Sequence, residues 1–171
     1  MRMLLFLITA VMGSACFGQD METQLQQLLQ GHLTTHPLIP GSASKNIGIH
    51  MGTLSIPPGF TNKRTGTADS EMGYLSNGGF IIYYDIGAMS GAHMNITLKG
   101  KCSFYSDSIY NGYKTIAGLQ KLPAESKLTI TVYGNDTRNS HFPANFRATV
   151  KNDTEKKAML DIALSYKPNL P

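Results

Sequence analysis

Tryptophan is absent from this sequence, and cysteine nearly so: two in 171 residues, Cys16 and Cys102. Charge is sparse as well, with 15 basic and 11 acidic side chains and a formal net charge of +4. Two cysteines this far apart give no disulfide framework. The basic residues are scattered, with Lys63-Arg64 and Lys156-Lys157 the only adjacent pairs. Without a basic stripe or an aromatic RNA-binding motif, nucleic-acid binding is disfavoured. Neither G-x-x-x-x-G-K-[ST] nor G-x-G-x-x-G occurs, so nothing supports a phosphate cradle or a dinucleotide site. The nucleophile elbow G-x-S-x-G and the calcium-binding EF-hand loop are missing too.

The most specific feature present is at the start. Met1-Arg2-Met3 carries one positive charge, Leu4 to Met12 is apolar apart from Thr9, and Gly13-Ser14-Ala15-Cys16-Phe17-Gly18 is built mainly of small residues. This is the order of a secretory signal peptide, and its apolar part is too short for the ~20 residues that span a bilayer. Cleavage after Gly18 makes Gln19 the new terminus. Cleavage before Cys16 leaves a cysteine for lipid attachment, because Gly13-Ser14-Ala15-Cys16 approximates a bacterial lipobox, with Gly13 where leucine is usual. The expected location is secreted or periplasmic, with a lipid-anchored outer-membrane form as the alternative. Removing residues 1–18 from the 171 leaves 153, the size of one domain, with no transmembrane helix and Cys102 as the remaining thiol. Free cysteine is among the most buried residue types, so Cys102 is expected inside.

Asp20 to Leu33 has Met21, Leu25, Leu28 and Leu29 at helical spacing, Asp20 as N-cap and Gly31 near the stop. Strand material follows at Ile47–Met51 and Thr53–Ile56, ended by Pro57-Pro58-Gly59; Thr61 to Thr67 reads as a polar loop. The strongest β signal is Phe80-Ile81-Ile82-Tyr83-Tyr84. It follows a hairpin-type turn at Ser76-Asn77-Gly78-Gly79. Its apolar residues fall on both faces, which predicts a middle strand buried on both sides. Asp69, Ser70, Glu71 and Asp85 flank it and read as acidic loops at the strand ends. Tyr74-Leu75 opens a strand before the hairpin-type turn, Met94–Leu98, Tyr113–Leu119, Leu128–Tyr133 and Phe146–Val150 complete the strands, and Lys101–Asn111 is ambiguous and ends in the turn pair Asn111-Gly112. Asp153 to Tyr166 closes the chain as a helix, with Asn152 and Glu155 set as a capping box and Pro168 barring continuation. The elements define an α+β fold: a mainly antiparallel sheet of about seven strands with an N-terminal and a C-terminal helix packed on it.

Ile56-Pro57-Pro58-Gly59-Phe60, Gly66-Thr67-Ala68-Asp69-Ser70-Glu71-Met72-Gly73 and Tyr84-Asp85-Ile86-Gly87 occur in that order. The pattern resembles a group of small exported bacterial proteins of unknown function, in which a proline-glycine turn precedes a G-x-D-S-x-x-G run and a strand ending in tyrosine-aspartate-x-glycine. Here the run has an extra residue. The outline is also similar to PsbP-like domains. The resemblance implies an exported α+β domain and brings no reaction with it.

The candidate chemistry is limited. Ser70, His93 and Asp85 supply the residue types of a hydrolytic triad, which geometry alone can define. His32 and His36 are four apart, but Gly31 and Pro37 interrupt any helix that would align them for zinc. Asp69, Glu71 and Asp85 could offer oxygens to calcium, or serve as solvated or capping acids. Tyr83, Tyr84, Tyr105, Tyr110 and Tyr113 could line a sugar or peptide groove, or pack the sheet. The expectation is an exported cell-envelope binding or accessory protein without catalysis or cofactor. Its binding edge lies at Asp69, Ser70, Glu71 and Asp85, and its partner is an envelope protein or a small ligand. The alternative is a secreted hydrolase using Ser70, His93 and Asp85 or a metal.

Overall fold

A computed structural model of the chain describes residues 26, 44–49, 51–66, 70–87, 101–134 and 143–169. The expected signal peptide, the strand expected at Met94–Leu98 and most of the loop expected at Gly134–Pro143 lie outside these residues. So does the helix expected at Asp20–Leu33 apart from Gln26, which is helical and exposed.

Two antiparallel sheets form. The small one has the order β1-β2-β10, from β1 (Lys45–Ile49), β2 (Gly52–Ile56) and β10 (Lys167–Pro168). The large one comprises β3 (Thr61–Arg64), β4 (Ser70–Asn77), β5 (Phe80–Gly87), β6 (Phe104–Tyr110), β7 (Tyr113–Lys121), β8 (Ser126–Val132) and β9 (Ala144–Val150). Its order is β3-β4-β5-β9-β8-β7-β6. One helix, α1 (Asp153–Leu164), completes the described elements. The architecture is thus sheet-rich and antiparallel. Seven strands form the main sheet, but not the set expected: β1 and β2 leave it, β3 and β6 join it, and Met94–Leu98 lies outside the described residues.

Local chemistry explains the turns. Gly78-Gly79 joins β4 to β5, and Asn111-Gly112 joins β6 to β7 with positive φ at both residues, 51° and 83°. Two consecutive left-handed residues define the primed turn whose twist matches that of the strands, and Asn-Gly is its preferred pair. Thr61–Arg64 proved a strand and not a loop, because a terminal strand of a sheet tolerates a fully polar sequence that discourages edge-to-edge pairing. β4 likewise begins at Ser70, so Ser70, Glu71 and Asp85 lie within strands and not in terminal loops.

Helix α1 starts where its cap predicts. Asn152 is extended, and its Oδ1 accepts from Glu155 N at 2.9 Å. The return bond is displaced by one residue: Glu155 Oε2 accepts from Lys151 N at 2.6 Å. Asp153 and Glu155 place negative charge at the positive end of the helix dipole. The helix stops at Leu164, two residues earlier than expected. Ser165 Oγ donates to Ile162 O at 2.7 Å and accepts from Ser55 N at 2.9 Å. Tyr166, fully buried, then turns its hydroxyl to Met51 O at 3.2 Å and its ring edge-on to Phe146 at 6.4 Å. Asn169 N donates to Met51 O at 2.8 Å.

The core lies between α1, the small sheet and one face of the large sheet. Alternate residues of each strand point into it, among them Ile82, Tyr84, Phe146, Ile130 and Leu119. They meet Leu54 and Ile56 from β2 and Met159, Ile162 and Ala163 from α1. β5 sits inside the sheet between β4 and β9, as expected. It is not buried on both sides, however: Ile81 and Tyr83 are 36% and 53% exposed. An antiparallel sheet can leave one face to water, and here the face away from α1 is open around β5.

Candidate functional site

Strand register decides which side chains meet on the open face. Lys63 pairs with Tyr74, Tyr74 with Tyr83, Tyr83 with Arg147 and Arg147 with Thr129. Because side chains alternate along each strand, all five point to the same side and form a row across β3, β4, β5, β9 and β8. Four interstrand steps make the row ~19 Å long. Lys63 Nζ sits 5.9 Å from the centroid of the Tyr74 ring, and the Tyr74 and Tyr83 rings are 6.2 Å apart, tilted by 59°. A cation at that distance is drawn to the ring face. The row therefore runs from a cation through two aromatic rings to a second cation and a hydroxyl.

An open depression of about 670 Å³ follows this row, with Met72, Asp85, Thr149 and Lys127 on its walls. Its size is within the range of small-molecule sites. Lys63, Lys127 and Arg147 are exposed, while Asp85 is half-buried, so positive charge predominates. Beyond Asp85 the face closes over a polar pair: Thr131 Oγ1 donates to Asn145 Oδ1 at 2.6 Å, both residues buried. Farther along, Ile116 and Tyr133 form a second small apolar cluster with Tyr105 against it.

Beneath the row, on the core side, a polar network fixes β3, β4 and β5. Arg64 Nε donates to Glu71 Oε1 at 3.0 Å, and the same guanidinium reaches Gly48 O in the small sheet. Tyr84 Oη donates to Asn62 Oδ1 at 2.9 Å and lies 3.4 Å from Glu71 Oε1. Burial, and next the Glu71 charge, push the Tyr84 phenol up to about 12. Gly73 pairs with Tyr84 and makes room for it, since a Cβ there would run into Tyr84 Oη and the Lys63 carbonyl. The need for glycine at this close approach explains why a strand position read as loop.

The residues expected from the sequence are separated by this geometry. Asp69 lies outside the described residues. Ser70 and Glu71 are each 7% exposed and, as neighbours in a strand, point to opposite faces. Asp85 alone reaches the depression. For the triad, Ser70 pairs with Gly87 and Asp85 with Met72, two residues out of step, and His93 lies outside the described residues, as do His32 and His36. Among the described residues, no three His, Cys, Asp or Glu side chains group as metal ligands. Cys102 is half-buried and not fully inside, and burial raises its thiol pKa. Of the tyrosines, Tyr84 and Tyr110 are core residues and Tyr83 faces solvent.

Sequence reading missed Lys63, Tyr74, Lys127, Thr129 and Arg147, which come from four strands and meet only through register. The available signal was period-two alternation with polar residues at odd positions of β8 and β9. Among the described residues no helix is long and apolar enough to cross a membrane. No family model matches the chain, and no curated protein matches it.

Proposed function

We propose that this chain is an exported cell-envelope protein that binds a ligand or partner without transforming it, and that its binding surface is the open face of the large sheet. The observation that carries the reading is Tyr83, more than half exposed on an interior strand and set between Tyr74 and Arg147 by register. Aromatic rings left in water beside cations offer large contact area with polar handles, the composition that recognition surfaces favour. The signal-type N-terminus and the resemblance to small exported bacterial proteins support the export half. The same reading takes the fold as α+β, with the Asp20–Leu33 helix packed on the sheet, and keeps lipidated Cys16 as the alternative terminus.

Lysine acetylation footprinting tests the surface. The exported chain is labelled with and without the envelope fraction of its host. Lys63 and Lys127 should be protected, while Lys157, exposed on α1 beyond the opposite face, should not. Uniform protection, or none, refutes the surface. The intact mass of the exported product tests the rest: Gln19 or lipidated Cys16 at the terminus supports export, and a retained Met1 overturns it.

A further inference from the structure

We propose that the ligand of the open face is an acidic carbohydrate chain, an inference that rests on the binding-surface reading above. Three features converge on this class. The Tyr83 ring is exposed, with Met72 and Ile81 also exposed on the same face among polar side chains, and such a mixed surface suits the apolar face of a sugar ring stacked on an aromatic. Asp85, Thr129 and Thr149 surround the same depression and provide a carboxylate acceptor and two hydroxyls, the groups that pair with sugar hydroxyls. Lys63 and Arg147 lie at opposite ends of the tyrosine pair, three interstrand steps or ~14 Å apart, with Lys127 beyond. The backbone spacing sets these cations on different strands, so they suit carboxylates or sulfates carried on more than one ring of an oligosaccharide.

Two other polymers fit less well. A nucleic-acid backbone is tracked by a continuous basic groove, whereas here separate cations share the depression with Asp85. An extended peptide adds to a sheet through an unpaired edge, whereas on this face the backbone of β4, β5, β9 and β8 is already paired.

The test is calorimetric titration of the full exported chain with a short oligogalacturonate, its neutral methyl ester and oligothymidylate. The acid should bind saturably with one site per chain, and the ester about tenfold more weakly or worse. Tyr83→Ala and Arg147→Gln should each weaken the acid by about tenfold, while Lys157→Gln on the helix leaves it unchanged. Thermal melts verify the folding of each variant, and if Tyr83→Ala melts early, Lys127→Gln takes its place. Equal affinity for acid and ester, tighter binding of oligothymidylate, or variants without effect overturn the assignment. If no probe binds while the envelope fraction still protects Lys63 and Lys127, the carbohydrate class is wrong and the binding surface stands. If that protection is missing too, both readings fall.

Discussion

Arg64 bridges the two sheets, pairing with Glu71 in one and bonding Gly48 O in the other, and its removal is the most informative perturbation of the fold. Its partner Glu71 keeps 9% of its side-chain surface exposed, while Arg64 keeps 56%. At the observed 3.0 Å, Coulomb attraction is ~1.4 kcal/mol in a water-like dielectric and ~5.5 kcal/mol at the effective value of 20 that suits such sites. Ordering the arginine and desolvating the carboxylate offset much of the larger figure. A fully exposed pair contributes up to ~1 kcal/mol, and losing one partner of a fully buried pair costs ~3–5 kcal/mol. With one buried and one open partner, Arg64→Met should cost ~1–3 kcal/mol. Glu71→Gln should cost less, because the amide oxygen can still accept from Arg64 and no charge stays buried. Urea unfolding followed by far-ultraviolet circular dichroism measures both, and the double variant isolates a coupling of ~1 kcal/mol. A loss below ~0.5 kcal/mol for Arg64→Met would show that the pair contributes only as a surface contact, and the reasoning would fail.

Two further outcomes follow from the same core. Ile162 is fully buried on α1, so Ile162→Asp should cost ~4 kcal/mol or more by burying a carboxylate among apolar groups. At ~2–4 °C per kcal/mol for a domain of this size, an unchanged melting temperature would contradict the docked helix. Tyr84, raised from 10.0 to about 12 in the folded state, holds its proton more tightly folded than unfolded. Its contribution is therefore complete below pH 10 and is lost as pH rises toward 12. Tyr84→Phe should flatten the stability curve over that alkaline window and lower neutral stability by ~1 kcal/mol through the lost bond to Asn62. An equally steep alkaline decline in the variant would refute the assignment.

The elements legible in the sequence were those with local causes. The β-branched and aromatic run of β5, the Asn111-Gly112 turn, the Asn152 cap and the stop near Pro168 each act within a few residues. What stayed hidden depended on partners far along the chain. β3 is polar because it ends the sheet, and Gly73 is glycine because Tyr84 needs the space above it. The side exposure of Tyr83 was illegible because its apolar ring matches a buried strand in composition, and only the position of α1 decides which face is covered. The acidic residues stood out as a cluster in sequence, yet strand alternation sends Glu71 into the core-side network and leaves Asp85 at the depression. Lys63, Lys127 and Arg147, far from one another in sequence, are gathered by pairing across β3, β4, β5, β9 and β8.

The bonds from Ser165, Tyr166 and Asn169 back to Ser55 and Met51 join segments 110 or more residues apart. A ribosome makes those strands well before their clasp. Until residues 165–169 emerge, β2 lacks its neighbour β10 and the core lacks its lid, so a nascent chain has little to gain by closing early. Closure of this core therefore waits until both ends of a span of more than a hundred residues have left the ribosome.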